Sequence, residues 1–166
     1  MRAVVALVLC ATGCSVDIGA GQIDPIVFDE PIDPAGESPP MSVPMNIEFL
    51  TADQSAAIAD QYGGKLGAVT AVDVSVQELG IVDRDGAPVT GSLLIVAYES
   101  VTIDKIGARL RLPEDAKQQV LQAITKRAAL DFDVQCTVGW AQPAPADMSA
   151  HVVLQPIVVV DGLKAL

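Results

Sequence analysis

Residues 130–140 alternate without a fault. Leu130, Phe132, Val134, Cys136, Val138 and Trp140 are separated by Asp131, Asp133, Gln135, Thr137 and Gly139. Successive side chains of a strand point to opposite faces, so this run reads as a strand with one dry and one wet face. A dry face of that length must be covered by a second layer. Similar patterns recur along the chain. Residues 43–49 place Val43, Met45, Ile47 and Phe49 on one side, with Pro44 suited to a sheet edge. Val72, Val74 and Val76 alternate with Asp73, Ser75 and Gln77, and then Leu79 and Ile81 resume one residue out of phase. A β-bulge near Gln77 and Glu78 would restore the register. Asp83-Arg84-Asp85-Gly86 reads as a turn into a return strand over 92–99. Its run Leu93-Leu94-Ile95-Val96-Ala97 is apolar on both sides, so this strand is expected to be central and covered. Further strands are expected over 106–112 and 149–160, with Pro156 marking an edge or bulge.

Two helices interrupt the strands. Thr51-Ala52-Asp53-Gln54 has the form of a capping box and opens a short helix to about Tyr62, stopped by Gly63-Gly64. Pro113, Glu114 and Asp115 open a second, in which Ala116, Val120, Leu121, Ile124 and Ala128 form one apolar stripe. The fold class expected is therefore mainly β: a two-layer antiparallel β-sandwich, immunoglobulin-like, with an inserted helix and a short N-terminal helix. A single sheet with both helices on one face is the alternative.

The N-terminus has a different character. Arg2 precedes an apolar run over residues 3–11, and then come Thr12, Gly13 and Cys14. A charged start, a short apolar core and small residues before a cysteine have the pattern of an export signal. Nine residues are too few to cross a bilayer as a helix, which takes about 20. Ala11-Thr12-Gly13-Cys14 resembles the lipobox of bacterial lipoproteins. The resemblance covers residues 1–14 and implies lipidation of Cys14, which becomes the first residue of the mature chain. In lipoproteins of Gram-negative type, Ser15 rather than Asp after that cysteine implies passage to the outer membrane. The expected localisation is thus the cell envelope, with a lipid anchor in the membrane and the domain on the periplasmic side or exposed at the surface.

Three segments follow: a signal peptide over 1–13, an acidic Pro/Gly-rich tether over 14–42 and a single β-rich domain over 43–166. Prolines at 25, 31, 34, 39 and 40 deny the tether a helix. Its cluster Ile23, Ile26, Val27, Phe28 and Ile32 is more apolar than a free linker, which points to docking on the domain or to a short partner motif. Residues 14–64 carry nine acids and no lysine or arginine, whereas 65–166 carry twelve acids and nine bases. That balance argues against nucleic acid as a partner. An acidic segment next to the headgroups is expected to hold off the membrane surface.

Few residues suggest chemistry. Cys10 leaves with the signal and Cys14 takes the lipid, so Cys136 has no disulfide partner and reads as a core residue. His151, the only histidine, reads as a strand-surface residue; with Cys136 it falls short of a zinc ligand set. No nucleophile elbow of the form G-x-S-x-G occurs. Asp83 and Asp85 lack the further ligands of a calcium loop, and Asp131 and Asp133 read as a solvated strand face. No catalytic residue, cofactor or metal is expected. Trp140, beside the Pro-rich loop 141–147, reads first as a cap on the core and second as a contact patch; with Tyr98 it is the candidate partner contact. The function expected is that of a non-catalytic, lipid-anchored envelope protein with a binding or structural β domain, its partner an envelope protein or polymer. The alternatives are an envelope hydrolase and a carrier of a lipid or other hydrophobic ligand in the sandwich interior.

Overall fold

The computed structural model describes residues 15–18, 23–33, 39–141 and 147–161. The expected signal peptide and Cys14 lie outside the described residues, as do positions 142–146 of the Pro-rich loop. In chain order the elements are β1 (Ser15–Ile18), β2 (Ile26–Ile32), β3 (Met41–Leu50), α1 (Ala52–Tyr62), a 3-10 stretch (Gly63–Ala68), β4 (Val69–Val82), β5 (Leu93–Tyr98), β6 (Val101–Ile103), β7 (Arg109–Arg111), α2 (Glu114–Lys126), β8 (Leu130–Gly139) and β9 (Met148–Asp161).

Two antiparallel sheets enclose one core. The first has the order β1-β9-β4-β7, with β2 also paired to β9, and the second runs β3-β8-β5-β6. From β2 onward the chain changes sheet at every connection except β5 to β6. The result is a mixed α/β domain with a sandwich-like pair of sheets. It is not specifically immunoglobulin-like, because the two helices and the edge of β9 shared by β1 and β2 are no part of that arrangement.

The largest correction concerns residues 14–42. An extended tether was the expectation, yet 15–18 and 26–32 are strands of the first sheet. β1 pairs Ser15 with Asp161 and Ile18 with Val158, while β2 pairs Ile26 with Leu154 and Ile32 with Met148. The two therefore lie end to end along one edge of β9, with β4 along the other. Ile23, Ile26, Phe28 and Ile32 are buried in the core. Pro31 is tolerated because β2 pairs only with β9, so its other edge needs no ladder. Pro44 in β3 is accommodated in the same way, with β8 as the only neighbour. Pro156 lies in β9 between the stretches that β1 and β2 cover.

Local signals translate directly. Thr51 Oγ1 accepts from the Gln54 N–H at 3.1 Å, and the Gln54 side chain accepts from the Thr51 N–H at 2.8 Å, closing the capping box. α1 then tightens into the 3-10 stretch, with Gly63 still in the right-handed region, so the glycine pair does not end the helical winding. The register of β4 on β9 shifts between Val76 and Glu78, where the change of phase required it. α2 buries Ala116, Val120, Ala123 and Ile124, while Leu121 is only part-buried and Ala128 is exposed. Arg127 closes the helix in the left-handed region and its guanidinium meets Asp60 of α1.

Two strand expectations fail. β5 lies between β8 and β6, but of the run 93–97 only Leu94 and Val96 face the core, and Leu93 is 48% exposed on the other side. The expected strand over 106–112 shrinks to β7, Arg109–Arg111, in the first sheet, and is preceded by β6, Val101–Ile103, in the second. Gly107, with φ +79°, turns the chain between them.

Candidate functional site

The outer face of the first sheet carries the polar groups of greatest interest. Inward residues of β9 are apolar, and His151 faces out. Register sets Asp29 of β2 beside His151 on one side and Gly80 of β4 on the other. Gly80 has no side chain to fill that outer face, and a Cβ there would meet nothing within 4 Å. The imidazole therefore reaches over β4 to Glu78. Its Nδ1 lies 2.6 Å from Asp29 Oδ1 and its Nε2 lies 3.1 Å from Glu78 Oε2. An ionised carboxylate can only accept, so both contacts are satisfied together when both ring nitrogens donate, and the arrangement favours the imidazolium. The hydrogen bond to Asp29 raises the His151 pKa above its ordinary value; that to Glu78 adds to this, and partial burial opposes it. The three residues line an open groove of about 460 Å3, walled further by Gly80, Val82 and Ile106.

In the protonated form both nitrogens of His151 are committed to carboxylates. The two carboxylates sit on opposite nitrogens and do not converge on one point. Among the described residues, no group of three or more His, Cys, Asp or Glu side chains could hold a metal ion. What the arrangement does is join three strands, β2, β9 and β4, through one charge. The sequence placed His151 on a strand surface and gave no sign of its two partners, which lie 122 and 73 residues away.

The sign of the linkage follows from the raised pKa. Below about pH 6.5 the histidine is charged in folded and unfolded chains alike, and the stabilisation is fully present. It is lost as pH rises through the higher folded-state value. Urea midpoints are therefore expected to fall as pH rises above 6.5 in the parent protein, and to lose that dependence in His151→Gln. A variant whose midpoints decline in parallel with the parent would show that another group is responsible.

A second polar cluster lies on the same face. Asp73 is buried beneath two arginines, with Arg109 Nε at 2.8 Å and Arg111 Nε at 3.1 Å. Arg109 also reaches Asp17 of β1 at 2.7 Å, and this bond holds the Asp17 carboxyl below its usual range. Arg109 thus ties both edges of the first sheet together.

The other sequence candidates fall elsewhere. Trp140, a candidate partner contact, is only 6% exposed and packs in the core, and its Nε1 has no hydrogen-bond partner among the described residues. A buried indole offers no face to a partner, so the contact reading of Trp140 is corrected. Tyr98 is half-buried with its ring centroid 4.7 Å from that of Phe132; burial, then the Glu99 charge, pushes its hydroxyl pKa up. It closes one side of the core and is not an open contact either. Cys136 is wholly buried, and burial, with a smaller contribution from the charge of Glu30, pushes its thiol up to about 11. Such a thiol is a poor nucleophile. Asp83 Oδ1 accepts from the N–H groups of Asp85 and Ala87 at 3.0 and 2.9 Å, so it caps its own turn. Asp131 and Asp133 lie along one exposed face of β8, where Asp133 accepts from Asn46 Nδ2 at 3.0 Å. Between the sheets, an apolar space lined by Phe49, Val74, Val96 and Phe132 amounts to about 30 Å3, the size of one water.

No protein-family model, no curated protein and no solved structure matches this chain.

Proposed function

We propose that this chain is a lipid-anchored, non-catalytic protein of the bacterial cell envelope, held to the membrane through Cys14, and that its folded domain serves as a binding module. One observation carries the reading: Arg2, the apolar run over 3–11 and Ala11-Thr12-Gly13-Cys14 stand directly before the first strand. An anchor confines the search for a partner to a surface and raises its effective concentration. The open groove around His151 is the contact surface this reading favours, in place of Trp140 and Tyr98. Carriage of a lipid within the sandwich gains no support, because the space between the sheets is far smaller than an acyl chain.

The test is metabolic labelling of the full chain in a Gram-negative host fed an alkyne-tagged fatty acid. The parent protein is expected to take the label, to partition into detergent and to begin at an acylated Cys14 by mass spectrometry. Cys14→Ala is expected to lose the label entirely. An intact Met1 terminus, or a free thiol at residue 14 in the parent, would overturn the proposal.

A further inference from the structure

The anchor and the fold meet without a spacer. This inference rests on the reading of Cys14 as the lipidated residue and goes on to ask which part of the domain then touches the bilayer. Ser15 opens β1 and pairs with Asp161. Consecutive Cα atoms are about 3.8 Å apart, so an acylated Cys14 lies one residue from a hydrogen-bonded strand. Val16 and Val69 are both partners of Val160, one on each side. Neighbouring strands are spaced by about 4.8 Å, which puts the backbones of Val16 and Val69 roughly 10 Å apart. The 3-10 stretch Gly63–Ala68 runs straight into Val69. Ser15, Asp161, Val69 and this stretch therefore form one end of the sandwich.

We infer that this end lies against the phospholipid surface, and that the His151 groove points away from it. Gly63, Gly64 and Gly67 are exposed there and present no side chain to the headgroups, and Lys65 is exposed among them. Lys65 is the only base between residues 3 and 83. The acidic Asp17 of β1 is neutralised by Arg109 rather than turned toward the membrane. A segment expected to hold the domain off the surface is thus folded into it, and one cysteine side chain with its glycerol sets the distance. At the other end, β4 reaches Val82 and the turn that contains Asp85. Thirteen strand steps at about 3.3 Å put that turn roughly 40 Å from Val69. Gly80, Val82 and Gly86 of the groove belong to this far end.

The experiment uses the full acylated chain in vesicles of phosphatidylethanolamine and phosphatidylglycerol, with nitroxide-bearing headgroups in one set. Gly64→Cys and Asp85→Cys each accept a bimane label, because Cys136 is wholly buried and Cys14 is blocked by lipid. A Cβ at Gly64 meets nothing within 4 Å, so the variant is sterically free. The exposed Gln61→Cys repeats the measurement at the end of α1. Strong quenching is expected at positions 64 and 61, and none at 85. The mass of the same samples reads the acyl groups independently. Acylated protein quenched equally at 64 and 85, or more at 85, overturns the posture and leaves the anchor standing. Protein without acyl mass overturns the anchor, and the posture with it.

Discussion

A chain that begins at residue 43 will not give a cooperative thermal transition, whereas one that begins at Ser15 will. The shorter chain contains every strand of the second sheet almost intact but lacks β1 and β2. It exposes one whole edge of β9 and removes Ile23, Ile26, Phe28 and Ile32 from the core. Burial of one such side chain contributes about 2–3 kcal/mol, so the four together contribute roughly 10 kcal/mol. That is comparable to the whole stability of an ordinary domain, about 5–15 kcal/mol. The bared edge of β9 is also an open template for aggregation. Differential scanning calorimetry and near-ultraviolet circular dichroism check the result. Equal melting temperatures for the two chains would show that β1 and β2 are dispensable.

Phe132→Ala will lower the unfolding free energy by about 4 kcal/mol. Phe132 is 6% exposed and lies between two rings, with centroids 5.0 Å from Phe49 and 4.7 Å from Tyr98. Truncation leaves a cavity beside the small apolar space already present between the sheets, and both aromatic contacts are lost. The backbone of β3 is hydrogen-bonded to β8 at this point, with Ile47 the partner of Phe132, and cannot collapse inward freely. Urea unfolding followed by Trp140 fluorescence measures the loss. Phe132→Leu keeps much of the volume and is expected to cost less than half as much; equal costs would mean that volume is not what matters there.

What the sequence revealed of the fold was local. The strict alternation of β8, the reciprocal bonds of Thr51 and Gln54, the stripe of α2 and the bulge after Val76 each depend on residues a few positions apart. β1 and β2 did not show themselves because their only strand partner is β9, more than a hundred residues later, and because prolines and acids gave their segment the composition of a linker. The burial of Ile26, Phe28 and Ile32 was visible only as too many apolar residues for a free tether. The strand expected over 106–112 keeps only Arg109–Arg111, because the chain is still turning at Gly107, where φ is positive, on its way from β6 in the other sheet. At the candidate site, His151 stood out as the only histidine, but its meaning lay in Asp29 and Glu78. Neither carboxylate is distinguishable from the other acids until the register of three strands is known. Trp140 was legible for the same local reason: it continues the alternation of β8 on the dry side, and it caps the core despite the Pro-rich loop beside it.

β9 also dictates an order of events in time. As the polypeptide emerges from the ribosome, β1, β2 and β4 appear long before the strand that joins them. β1 and β2 have no ladder partner, and β4 has only the three-residue β7, until residues 148–161 have been made. Pairings this distant along the chain form slowly, and the waiting edges are vulnerable meanwhile. The first sheet therefore closes last, only once β9 is available to join its strands, whereas every strand of the second sheet precedes it in the chain.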